Sequence, residues 1–163
     1  MADFDPGVRT RFRKALQIAL AAWFKANTPL SIEFVDGELT GKQELDIGCV
    51  WFDNKVPHRN DWNNEESFFG VRVCRVFAQD QGGAEPRASI QERLEWTFEA
   101  LEDAIVTVIN RPNLAAASGV DLTDAPEYFI VTQIALNRTD QHITATIAAQ
   151  FETARARAAD RRR

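Results

Sequence analysis

The amino-acid sequence predicts an α+β domain: an antiparallel, mostly five-stranded sheet with two helices packed on one face, in the order α-β-β-β-α-β-β. Two segments carry apolar residues at spacings of three and four, the period of a helix face. Five others alternate, or run apolar in short blocks, as strands do. The Asn, Asp and Gly punctuation between strands is that of antiparallel connections. At 163 residues, 45% hydrophobic and 26% charged, the chain fits one globular domain. That domain covers residues 1–151, and a basic C-terminal tail, 152–163, follows.

The first helix begins near Asp5, a capping residue, with Pro6 at its first position. Val8, Phe12, Leu16, Leu20 and Trp23 form its buried stripe, Arg9, Arg13 and Lys14 its wet side, and Asn27 to Pro29 its end. Three strands follow. Ile32 and Phe34 share a face in the first, which ends in an Asp36-Gly37 turn signal. Ile47, Cys49 and Trp51 alternate with Val50 and Phe52 in the second, so both of its faces are covered. The third, Ser67 to Ala78, has Val71 and Val73 in phase and Val76 out of phase, which calls for a bulge near Cys74 and Arg75. Ser89 and Glu92 then form a capping box ahead of Ile90, Leu94, Phe98, Leu101, Ile105 and Val108, a helix that stops at Asn110 to Pro112. A polar stretch with Gly119 and Pro126 leads to the last two strands. Tyr128, Ile130, Thr132, Ile134 and Leu136 share one face of the first, and Phe129, Val131 and Ala135 the other. Ile143, Ala145, Ile147, Ala149 and Phe151 share a face of the second, across a hairpin turn at Asn137 to Gln141.

Composition excludes several classes. No apolar run approaches the ~20 residues that cross a bilayer, and the basic cluster ahead of Ala15 to Phe24 follows Asp3 and Asp5, unlike a signal peptide. The protein is therefore expected to be made in the cytosol. Cys49 and Cys74 lie in apolar strands without metal-ligand spacing and read as buried free thiols. A net charge of −5 argues against a dedicated duplex-DNA binder. Against that acidic body, Arg155, Arg157, Arg161, Arg162 and Arg163 crowd the tail.

The stretch from Val56 to Ser67 holds His58, Arg59, Asp61, Trp62 and Asn63 within a loop running from Asp53 to Glu66. No helical spacing joins His58 to a second histidine, and His142 lies in a distant hairpin, so neither a metal site nor acid–base chemistry has support there. Two readings remain: a solvated hairpin loop, or an interaction loop with Trp62 as its aromatic anchor. The interaction candidates are His58, Arg59, Asp61, Trp62 and Asn63, with the five tail arginines as a second group. Gly82-Gly83 lacks a phosphate-cradling pattern, and no serine sits in a nucleophile elbow. Neither a catalytic constellation nor a cofactor is predicted.

Element order and apolar pattern together resemble a family. The out-of-phase strand "VRVCRVFAQ", the capped helix "SIQERLEWTFEALEDAIVTVI", the segment "NRPNLAAASGVDLTD" and the strands "YFIVTQIALN" and "HITATIAAQFE" resemble the tail terminator (tail completion) proteins of long-tailed bacteriophages and tail-like particles. Pro112, Asn113, Leu114, Val120 and Leu122 fill the family's recurring segment before the closing hairpin, and the likeness spans residues 8 to 151. The resemblance implies a virion structural protein of the neck, assembled in the host cytoplasm. Its hexameric ring would cap the tail tube, terminate tube polymerisation and join the head connector or stopper protein, while genomic DNA passes through the lumen. It implies no enzyme activity, cofactor or membrane. The Asp53–Glu66 loop and the arginine run exceed the family's minimal form. The alternatives are another ring component of the neck or of head completion and, from a different class, a small dimeric α+β enzyme or ligand-binding domain with a pocket of convergent polar groups.

Overall fold

The first helix, α1 (Val8–Asn27), buries Phe12, Ala15, Leu16, Ala19, Leu20 and Phe24, a single stripe at helical spacing. In the computed structural model, residues 7–57, 63–77, 89–153 and 156 are described. Asp5 and Pro6 lie outside them, and the N-cap position is held by Gly7 without a side-chain bond. At the other end the Thr28 hydroxyl donates to the Phe24 carbonyl (2.7 Å), closing the last turn.

Four strands follow the expected pattern in outline and depart from it in register: β1 (Glu33–Asp36), β2 (Ile47–Pro57), β3 (Asn64–Cys74) and, after the second and third helices, β4 (Ile130–Asn137); β5 (His142–Glu152) completes the sheet. The spatial order is β1-β2-β3-β5-β4. The sheet is mixed, not antiparallel throughout, because β1 runs parallel to β2, with Phe34 opposite Gly48 and Val35 opposite Cys49. A tight turn at Asp36-Gly37 would have made a hairpin. Instead residues 37–46 carry the chain back to the starting end, as a parallel pair requires.

The bulge expected near Cys74 and Arg75 is not there: β3 ends at Cys74, so Val76 has no strand phase to satisfy. Register shifts fall elsewhere, between Phe52 and Asn54 in β2 and between Val131 and Gln133 in β4. The second corrects the faces expected of β4. An extra residue at Thr132 puts Val131 on the same face as Ile134 and Leu136, packed against the core, and turns Ile130 to the outside at 48% exposure.

The helix α2 (Ile90–Thr107) starts as expected, the Glu92 amide donating to Ser89 Oγ (3.1 Å). A third helix, α3 (Arg111–Ser118), occupies the stretch expected to be a polar connection. Its signals are local: the Asn113 amide donates to Asn110 Oδ1 (2.9 Å), Pro112 stands in the first turn, and Gly119 closes it with φ 70°. Asn110-Arg111-Pro112 thus opens a helix as well as following one. The order is α-β-β-β-α-α-β-β.

α1 and α2 pack on one face of the sheet. Phe12 is the hub there, its ring centroid 5.0 Å from Phe69, 5.5 Å from Phe151 and 5.7 Å from Phe129. Phe69, Val71, Val73, Ile143, Ala145, Ile147 and Phe151 supply the sheet side, each at most 1% exposed. At roughly 25 cal/mol per Å² of apolar surface removed from water, this layer dominates the stability.

Candidate functional site

Of the residues expected to interact, His58, Arg59, Asp61, Trp62 and the arginines at 155, 157, 161, 162 and 163 lie outside the described residues. Asn63 is described: its carbonyl accepts from the Thr153 amide (2.7 Å) and ties the β2–β3 connection to the end of β5. The long loop from Asp53 to Glu66 is corrected by the ladder, in which Asn54 faces Phe68, Lys55 Ser67, Val56 Glu66 and Pro57 Glu65. The connection between strands shrinks to residues 58–63.

At that end of the sheet, ion pairs clamp α1 to β3. Arg9 Nε donates to Ser67 Oγ (2.8 Å), Arg9 Nη2 lies 3.4 Å from Glu65 Oε1, and Lys55 Nζ lies 3.1 Å from Glu65 Oε2. The Arg9 guanidinium also sits 5.1 Å from the Phe151 ring centre. Burial works to raise the Glu65 pKa, but the hydrogen bond and charge of Lys55, with the charge of Arg9, hold it below the ordinary carboxylate range. Arg9 and Arg13 therefore do not stand on a wet side as expected: Arg13 pairs with Asp36 of β1, and the two arginine side chains are 20% and 17% exposed.

Beside the clamp open two adjoining hollows, of about 400 and 330 Å³, which share Asn64, Pro126, Glu127 and Gln150. Arg111 in the wall donates to the carbonyls of Thr123 (3.2 Å) and Ala125 (2.9 Å), and its amide donates to the Glu127 carbonyl (2.7 Å). These bonds shape the 123–127 segment as the rim. Tyr128, 66% exposed, and Ile130 stand at the outer lip.

The two lateral margins of the sheet are a second kind of surface. Along β4, an open groove of about 540 Å³ runs between that strand and α2, lined by Phe98, Val106, Ile109, Ile130 and Ile134 among others. Val106 is 58% exposed. On the opposite margin β1 covers only β2 from Ile47 to Val50, and the remainder of β2 exposes Phe52 and Val56. The sheet thus offers two unlike apolar margins.

The face away from the helices is built around Arg72. Its Nε donates to Thr144 Oγ1 (2.8 Å), its Nη1 to the Leu39 carbonyl (2.6 Å), and its Nη2 lies 3.3 Å from Glu38. The guanidinium is 5.0 Å from the Trp51 ring centre, and that ring occupies the space beside Gly70, where a Cβ would sit 2.0 Å from it. Cys49 and Cys74 are buried free thiols; the Leu39 amide contacts Cys49 Sγ at 3.5 Å. Burial, then the neighbouring Cys49, pushes the Cys74 thiol up to about 11. His142, 7% exposed, is held below its ordinary pKa by burial and by the Arg72 charge, against the pull of Asp140. Among the described residues no group of three His, Cys, Asp or Glu side chains could hold a metal ion, and no helix is long and apolar enough to cross a membrane.

No protein-family model and no curated protein matches this chain.

The margins were hidden from the sequence because their residues were expected in the core pattern. Ile130 reads as sharing a face with Ile134 and Leu136 until the Thr132 bulge is taken into account; Phe52 does share the face of Val50, its ring centre 5.5 Å from that of Phe69, but lies beyond the reach of β1 and is 42% exposed. Val106 carries a readable signal: it falls outside the spacing that places Leu101, Ile105 and Val108 inward.

Proposed function

We propose that this chain is a structural subunit of a closed ring, of the tail-terminator type that its sequence resembles. The ring caps a phage tail tube at the head–tail junction, stops its polymerisation and meets the connector or stopper protein, with genomic DNA crossing its lumen. The observation that carries this reading is the pair of unlike apolar margins. Val106, Tyr128 and Ile130 are exposed on one side, Phe52 and Val56 on the other, and together they make up five of the eight large exposed hydrophobic residues among those described. A two-fold dimer needs one patch that matches itself; a ring needs two different patches that match each other, since each subunit meets its neighbour head to tail.

The test is the solution mass of the purified protein by light scattering, with negative-stain images of the same sample and of the protein mixed with tail-tube protein. Six-subunit rings, alone or on tube ends, with tube length fixed by added protein, are the expected result. A compact dimer without effect on tube length overturns the reading and favours the small enzyme or ligand-binding alternative.

A further inference from the structure

The two adjoining hollows beside the α1–β3 clamp are a groove with a definite chemistry. Among the described residues their walls carry the carboxylates of Glu66, Asp124, Glu127 and Glu152, with the guanidinium of Arg111 in the wall and that of Arg11 3.9 Å from Asp124. Arg111 is held by backbone carbonyls at 2.9 and 3.2 Å. Between the acids lie Pro126, the flank of Tyr128, Ile130 and the 3%-exposed Ala148. Apolar ring surface framed by carboxylates suits guanidinium groups, which stack on aromatic faces and bond carboxylates with a planar fork. It repels phosphate, so nucleic acid is not its ligand.

The chain itself supplies the matching ligand. β5 lines the groove with Gln150 and ends at Glu152, and Thr153 is bonded to the Asn63 carbonyl, beside the Asn64 that both hollows share. The next ten residues, ARARAADRRR, hold five arginines and one aspartate. Ala156 turns back, its amide donating to Thr153 Oγ1 (3.1 Å), and the seven residues beyond it span up to ~23 Å when extended. We propose that this groove is the docking site of the chain's own arginine-rich segment 154–163, with Glu127 and Tyr128 as its principal contacts. Tethering at the mouth of the groove gives the segment an effective concentration near millimolar, which favours its own chain over a second copy. Docking offsets carboxylate charge in the groove, so the docked and released states differ in the charge they present to a partner. The inference does not depend on ring formation.

Fluorescence anisotropy of a labelled ARARAADRRR peptide tests it on full-length chains. A variant with Arg155, Arg157, Arg161, Arg162 and Arg163 all changed to Gln has its groove vacated and binds the peptide. The unaltered chain, whose own segment competes, binds it at least tenfold more weakly. Adding Glu127→Gln and Tyr128→Ala, both at exposed positions, to the neutralised variant lowers its affinity tenfold or more, and raising the salt from 50 to 300 mM weakens it further. Equal affinity of the unaltered and neutralised chains overturns docking in cis. Undiminished affinity after Glu127→Gln and Tyr128→Ala overturns the groove as the site. Self-association of the unaltered chain that disappears on arginine neutralisation, measured by sedimentation, assigns the segment to a second copy and likewise overturns the proposal.

Discussion

The two faces of the sheet are sealed by different physics. On the helix side, Phe12 meets three aromatic rings and nothing polar is needed to hold it. On the other side, Arg72 gathers Thr144, Leu39, Glu38 and Trp51 around one guanidinium, and a strap of residues 37–46 reaches the Cys49 thiol through the Leu39 amide. The apolar layer is broad and tolerant of detail. The polar layer hangs on one side chain whose every partner loses its bond together.

That contrast can be broken most forcefully at Phe12. Phe12→Ala removes the hub of the aromatic layer and should cost about 3–5 kcal/mol, read as a lowered urea midpoint. Arg72→Ala should cost less, about 2–3 kcal/mol, by stranding acceptors at Leu39 and Thr144 that a charged donor had satisfied. It should also quicken alkylation of Cys49, because the strap is released, whereas Phe12→Ala under native conditions should quicken it less.

Acid sharpens the comparison further, since each face holds one group whose folded pKa is depressed. Such a group lends stability that is complete above its unfolded pKa and is lost as pH falls through the folded one. For His142, which faces Arg72, Thr144, Asp140 and Glu38, the loss begins as pH drops below about 6.5. For Glu65 under Arg9 and Lys55 it begins only below about 4.3. Urea midpoints followed from pH 8 to 3 should therefore fall in two windows. His142→Asn should remove the upper slope and Glu65→Gln should flatten the lower one, to which Asp121, held down by its bonds to Thr123, also contributes. The smallest effect on stability is expected at the margin: Ile130→Glu should shift the midpoint by no more than about 0.5 kcal/mol, yet abolish any ring seen by light scattering.

Much of the fold was legible because it rests on period and capping. Phe12, Leu16 and Leu20 of α1, Leu94, Leu101 and Ile105 of α2, the Ser89 cap and the inward face of β5 follow from the sequence pattern, whereas Trp23 is half-buried with Phe24 inward in its place, and Ile90 is exposed. What was not legible depends on partners far away in the chain. Asp36-Gly37 is a turn signal, but whether the chain turns there into a hairpin depends on the strap having Arg72 and Cys49 to pack on. Thr132 reads as one more alternating residue; only pairing with β5 shows that it is extra. Asn110-Arg111-Pro112 was legible in principle, since Asn before Pro, with Gly119 beyond, is the grammar of a short helix as well as of a stop. The groove was invisible because its walls come from five separate stretches of chain, while the arginines proposed to occupy it were the plainest asymmetry in the sequence.

The place of β5 has a consequence for how the protein is made. The last strand in chain order sits inside the sheet, with β3 on one side and β4 on the other. Until the ribosome has released Glu152, the central strand β3 has an open flank that exposes Phe69, Val71 and Val73, and α1 has only half a surface to rest on. Vectorial synthesis therefore cannot complete the domain in stages. The nascent chain must wait with its most aggregation-prone strand uncovered and close in one late, long-range step.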